Sequence, residues 1–196
     1  MENKISTEPL SLNTDPEQAI RLLNSFTQIV RILNGRGIQF NKRLDAILEV
    51  ILGYLGVAQG SIMTLERRKL IVAASTRKEI IGMIQSIDDN SVASWVAKSR
   101  TPTFIPDIAK DERFQRRGGQ SYKKNGLLSV PIIHENKVLG VINATDKAGE
   151  KDLLKEDITC LLDFSSIILS TLVQKRLHQE LKKQRRTLKK RNKELK

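Results

Sequence analysis

Two apolar runs, LLSVPIIH from Leu127 to His134 and VLGVINATD from Val138 to Asp146, stand either side of the short turn ENK. Runs so rich in β-branched and aliphatic residues read as strands, and so short a connection makes them an antiparallel hairpin. A strand wet on one face alternates apolar with polar residues. These two do not, so they belong at the centre of a sheet with helices packed over it.

The segments on either side supply those partners. Asp15 can cap a helix with Pro16 in its first position, and Ile20, Leu23, Phe26, Val30 and Leu33 recur at helical spacing until Asn34-Gly35. A second helix is expected from Asn41, with Leu44, Ile47, Leu48, Ile51 and Leu55 on one stripe and Gly56 as its stop. The period then changes: SIMTL and LIVAAS flank the polar turn ERRK, a second hairpin. NSVASWVAKSR returns to helical spacing, with Val92, Trp95 and Val96 inward and Asn90 or Ser91 as cap, and TPTFI is long enough only for a strand. A long stretch of charge and glycine, PDIAKDERFQRRGGQSYKKNG, precedes the central hairpin and reads as a functional or mobile loop. A last helix is expected to open at Asp152, with Glu156 and Asp157 in its first turn, and to run to the end. The order predicts an α+β domain around an antiparallel sheet.

Charge is unevenly placed. Of the formal +12 carried by 196 residues, +9 lies between Lys175 and Lys196, where eleven Lys/Arg meet two acids. The single cysteine, Cys160, permits no internal disulfide, which suits a reducing compartment. The polar start lacks the pattern of a secretory signal, and no run approaches the roughly 18 apolar residues of a membrane span. Together these features predict a cytoplasmic protein with no membrane span.

Several strings then resemble the GAF family of small-molecule-sensing domains. SVASWVAKSRTPTFIPDI is similar to that family's helix-to-strand stretch, LLSVPII with KVLGVINATDK to its central hairpin, and LLKEDITCLLDFSSII to its closing helix. The likeness covers about Phe40 to Val173. It implies a sheet of about six antiparallel strands, helices on one face, a pocket in front and a long C-terminal helix. On that reading residues 1–15 are a disordered N-terminus, 16–39 a dimerisation helix, 40–173 the GAF-like domain and 174–196 a basic helix or coiled-coil connector.

The resemblance implies a sensory, non-enzymatic module and names no ligand and no cofactor. Cyclic-nucleotide-binding members carry an Asn-Lys, Phe, Asp-Glu signature; the corresponding residues here are Asp146-Lys147, Leu153 and Asp157-Ile158, which differ at three of five positions. Members that use pocket cysteines would need thiols that the lone, apolar-flanked Cys160 does not supply. The candidate ligand-binding residues are Trp95, Phe104, Asp107, Arg113, Phe114, Tyr122, Ser129 and Asn143. In the loop, Arg113, Arg116, Arg117, Lys123 and Lys124 would favour an anionic ligand, with the bland alternative of a solvated loop. Two histidines, His134 and His178, form no metal-ligand cluster, and no G-x-S-x-G, phosphate loop or G-x-G-x-x-G occurs, so neither catalytic nor metal-binding residues are expected.

In the tail Leu181, Leu188 and Leu195 lie seven apart, with Leu177, Gln184 and Arg191 at the other seam position, a weak heptad. A homodimer through Pro16–Leu33 and Leu161–Leu177 is the expected assembly. The contrasting reading is a ligand-free dimerisation module that presents its basic helix to nucleic acid or an acidic protein partner.

Overall fold

A computed structural model describes residues 15–114, 126–147 and 153–194. Helix α1, Pro16–Asn34, starts where expected: the Asp15 carboxylate accepts from the Glu17 N–H at 3.1 Å, and Pro16 occupies the first turn. Helix α2, Phe40–Leu55, ends at Gly56 in the left-handed conformation, with φ of 65°. Six strands follow, interrupted by one short helix: β1 Val57–Glu66, β2 Lys69–Ser75, β3 Ile84–Ser86, α3 Val92–Ser99, β4 Thr103–Ile105, β5 Leu127–His134 and β6 Lys137–Lys147. Helix α4, Asp157–Glu194, closes the chain. It begins later than expected from Asp152. Asp157 caps the preceding turn, its carboxylate accepting from the Leu154 N–H at 2.9 Å.

The strands form one antiparallel sheet in the order β3-β2-β1-β6-β5-β4, with the predicted β5–β6 hairpin inside it. Pro131 would be out of place in a fully paired strand. Here β4 pairs only with Leu127 to Ser129, so among the described residues Pro131 lies where β5 is paired on one side only.

Strand periodicity divides the core in two. Ile62, Leu128, Val130, Ile132, Ile142 and Ala144 face α1, α2 and α4, where Ile29, Leu48, Ile51, Phe164 and Ile168 meet them. Met63, Leu70, Val72, Leu127 and Val141 face the opposite way, toward α3 and Phe114. Phe164 is fully buried and makes edge-to-face contacts with Phe26 at 5.2 Å and Tyr54 at 5.6 Å, joining α1, α2 and α4. Gly140 permits close passage: a Cβ there would collide with the Met63 carbonyl oxygen and stand 3.3 Å from Leu172 of α4.

One helical stripe differs from expectation. On α1 the inward residues are Leu22, Phe26, Ile29 and Leu33, while Ile20, Leu23 and Val30 are exposed at 60, 65 and 48%. Two apolar stripes occupy this helix, and the spacing mixed them. By length and composition α4 could cross a membrane. Its apolar residues Leu161, Phe164, Ile168 and Leu172 instead sit on the sheet, as those of a core helix do. Beyond Val173 the described side chains of α4 are mostly exposed, among them Leu177, Leu181 and Leu188.

Candidate functional site

In front of the sheet, on the face away from α2 and α4, lies a cavity of about 280 Å³. Its floor is made by Ser61 and Met63 of β1, Asn143 and Thr145 of β6 and Leu127 of β5. Its walls come from Ile80, Met83, Ile84, Gln85, Val92, Ala93 and Phe114. A volume at the lower end of ligand sites, mostly apolar with a few fixed polar groups, is what a small-molecule site requires.

The polar groups are set by register. Ser129, Asn143 and Ser61 are directly opposite one another on β5, β6 and β1. The fully buried Ser129 hydroxyl donates to Asn143 Oδ1 at 2.7 Å, and Asn143 Nδ2 donates to Ser61 Oγ at 3.2 Å. With Oγ already accepting, the Ser61 hydroxyl keeps its own proton to offer at the cavity floor. A second group is anchored at the wall, where Gln85 Nε2 donates to Ser91 Oγ at 2.9 Å and Ser94 Oγ at 3.3 Å. That committed amide nitrogen leaves the Gln85 carbonyl as the group with capacity to spare. Arg77 is the only charged residue lining the cavity among the described residues. Its Nε donates to Glu79 at 2.9 Å, which holds the Glu79 carboxyl below the ordinary carboxylate range, while the Nη groups have no partner among the described residues.

Of the residues singled out from sequence, Asn143 and Phe114 line this cavity and Ser129 braces Asn143 from the neighbouring strand. Phe104 does not line it: Thr103 and Ile105 take the positions of β4 facing front, so period two turns Phe104 toward the helices. Trp95 stands beside the cavity wall, edge-on to Phe114 at 6.4 Å, because Val92 and Ala93 hold the cavity-facing positions of α3. Asp107 stabilises its own turn, accepting from the Ala109 N–H at 3.0 Å and pairing with Lys110 at 3.3 Å. Arg113 is committed to Asp111 through two bonds of 2.9 and 2.7 Å and lies over the Trp95 and Phe114 rings. That fork holds Asp111 below the usual carboxylate range and Arg113 above its ordinary value. Tyr122, Arg116, Arg117, Lys123 and Lys124 lie outside the described residues.

Sequence reasoning missed Ser61, Arg77 and Gln85. Ser61 begins the run SIMTL, and only the register of β1 on β6 places it beside Asn143. Arg77 precedes a short helical turn and Gln85 is the middle residue of the three-residue β3, neither of which carries a periodic signal. Cys160 lies across the sheet from the cavity, half-buried among the residues packed behind it. Burial pushes its thiol above the ordinary range, although a hydrogen bond with Tyr54 opposes the shift. Among the described residues no group of three or more His, Cys, Asp or Glu could hold a metal ion.

Comparison with solved structures agrees with the architecture. The GAF domain of an Acinetobacter phosphoenolpyruvate-protein phosphotransferase superposes with a TM-score of 0.69 at 18% identity, covering 84% of this chain and 97% of that one. The corresponding domain from Coxiella burnetii gives 0.70 at 14%, covering 83% and 98%. Free methionine-R-sulfoxide reductase from Neisseria meningitidis, solved in complex with its substrate, gives 0.66 at 10%, covering 87% and 98%. At these identities the likeness is one of fold. No curated protein matches the chain. The model of the GAF domain matches residues 39–170, well over half the chain, and on that match and this fold the chain belongs to the GAF domain family.

Proposed function

We propose that this GAF domain is a non-enzymatic sensor: the cavity takes a small molecule, and its occupied state is passed through α4 to a partner. The observation that carries the reading is the Ser129–Asn143–Ser61 chain, which delivers a hydroxyl donor to the floor of a mostly apolar cavity. With Arg77 at the rim and no acid in the lining among the described residues, the cavity favours a ligand with a carbonyl or carboxylate acceptor. The chain's one thiol lies behind the sheet, which speaks against thiol chemistry in the cavity. Sensing further requires that the ligand prefer one arrangement of α4, since equal binding to both would transmit nothing.

Assembly belongs to the same proposal. Leu161, Phe164, Ile168 and Leu172 are used within the chain's own core. A homodimer therefore draws on the outer stripe of α1, Ile20, Leu23 and Val30, and on the exposed leucines of α4. Light scattering on Ile20→Glu/Leu23→Glu, expected to be monomeric, checks this point.

Native mass spectrometry of the gently purified intact chain tests the ligand. A stoichiometric extra mass, absent from Asn143→Leu, supports the reading. If a panel of small carboxylates and amides neither adds mass nor shifts the melting temperature of the wild-type chain, the sensor reading fails.

A further inference from the structure

On the opposite side of the sheet from the cavity, the β1–β2 turn and α4 enclose an open groove of about 640 Å³. Arg67, Lys175, Arg176, Lys182, Lys183 and Arg186 line it against a single acid, Glu66. Lys175 already pairs with that carboxylate at 3.1 Å. Arg67, Arg176, Lys182, Lys183 and Arg186 have no ion pair among the described residues. Like charges gathered in one concavity repel one another, and an anion placed between them relieves that repulsion.

The turn adds an independent observation. Arg67 and Arg68 have φ of 47° and 66°, the left-handed pair that a two-residue hairpin connection demands and that Asn-Gly adopts at least cost. Arg68 is held away from the groove by two bonds of 2.8 Å to Asp88. The same left-handed pair recurs at Glu135 and Asn136 in the other hairpin, so the strain belongs to the turn; what sets Arg67 apart is that the turn leaves it lining the groove with no ion pair among the described residues.

We propose that this groove binds the phosphate backbone of double-stranded nucleic acid. The helical face it uses repeats at 175/176, 179, 182/183 and 186, spanning about 16 Å at 1.5 Å per residue, a reach of a few phosphates. Among the described residues no aromatic side chain lines it for stacking on unpaired bases, which favours a duplex over a single strand. A membrane surface fits less well. At about 100° per residue, the exposed Leu177, Leu181 and Leu188 lie on the face of α4 opposite the groove, so burying them in lipid would turn these cations away.

The test is fluorescence anisotropy of a labelled 20-base-pair duplex with the full chain, beside phosphatidylserine vesicles and polyglutamate. About four phosphate contacts predict ~100-fold weaker binding at 200 mM than at 50 mM salt. Lys182→Glu/Lys183→Glu/Arg186→Glu should abolish binding, these side chains being exposed and glutamate a good helix former. Arg67→Gly should weaken binding several-fold and reduce the salt slope by about one, while the melting temperature rises because the strain is gone. That opposite movement separates a lost contact from a damaged fold. Duplex affinity unchanged in Arg67→Gly, binding that depends on Lys189, Lys190 and Lys193 but not on the groove residues, or capture by vesicles or polyglutamate in preference to the duplex would each overturn the proposal.

Discussion

Replacing Phe164 with alanine removes a ring of α4 that touches both other helices behind the sheet. The side chain is fully buried, with Phe26 of α1 and Tyr54 of α2 set edge-on to it. Phenylalanine-to-alanine changes in cores cost about 3–5 kcal/mol, and the two ring pairs place this site toward the upper part, about 4 kcal/mol. A domain of ordinary stability holds roughly 5–15 kcal/mol, so a large share would be lost. At about 2–4 °C per kcal/mol for a chain of this size, the melting temperature should fall by about 12 °C. Phe164→Leu keeps most of the apolar volume and loses the ring geometry, for about 1.5 kcal/mol. Urea titration of wild type and both variants, with hydrogen exchange to locate the loosened amides, measures this. Exchange should rise first in α1, whose packing depends on Phe26 and Ile29. A cost below about 1.5 kcal/mol for Phe164→Ala would refute the view that this ring joins the three helices.

Gly140→Ala should destabilise by about 1–3 kcal/mol in chemical denaturation, because the added Cβ meets the backbone oxygen of Met63, which can give way only if β1 moves. Ser129→Ala should cost about 1–2 kcal/mol by calorimetry, since Asn143 loses the donor to its oxygen. Cys160 should react with a disulfide reagent more slowly at pH 7 than a free thiol, the rate climbing only above the ordinary thiol range. The sign for stability follows: with its folded pKa raised, the thiol's contribution is intact below the ordinary thiol range and lost as pH rises through the folded value, a dependence that Cys160→Ala should remove in pH-dependent melting.

The parts of this fold legible in sequence are those where one signal acts alone. The β5–β6 hairpin announces itself because both strands are covered on both faces, and α2 because one stripe ends at Gly56. On α1 the apolar residues form two stripes, so spacing alone could not say which one meets the core. Strand β3 is three residues long with Ile84 60% exposed, too short and too wet to show a period. The cavity followed the same rule. Asn143 and Ser129 could be picked out because they interrupt apolar strands, whereas Ser61 joins them only through register and Gln85 through its hydrogen bonds to Ser91 and Ser94.

The 38-residue length of α4 has a mechanical consequence. Its first half is seated on the back of the sheet, and the part after Val173 extends about 30 Å further at 1.5 Å per residue. A seated base with an exposed arm, tied to the sheet near its root by the Lys175–Glu66 pair, is a lever, and a tilt of about 5° at the sheet moves the far end by roughly 3 Å. Leu172 stands against Gly140, three residues along β6 from Asn143. A shift of that strand too small to disturb the core would thus become a displacement at the tip as large as a side chain.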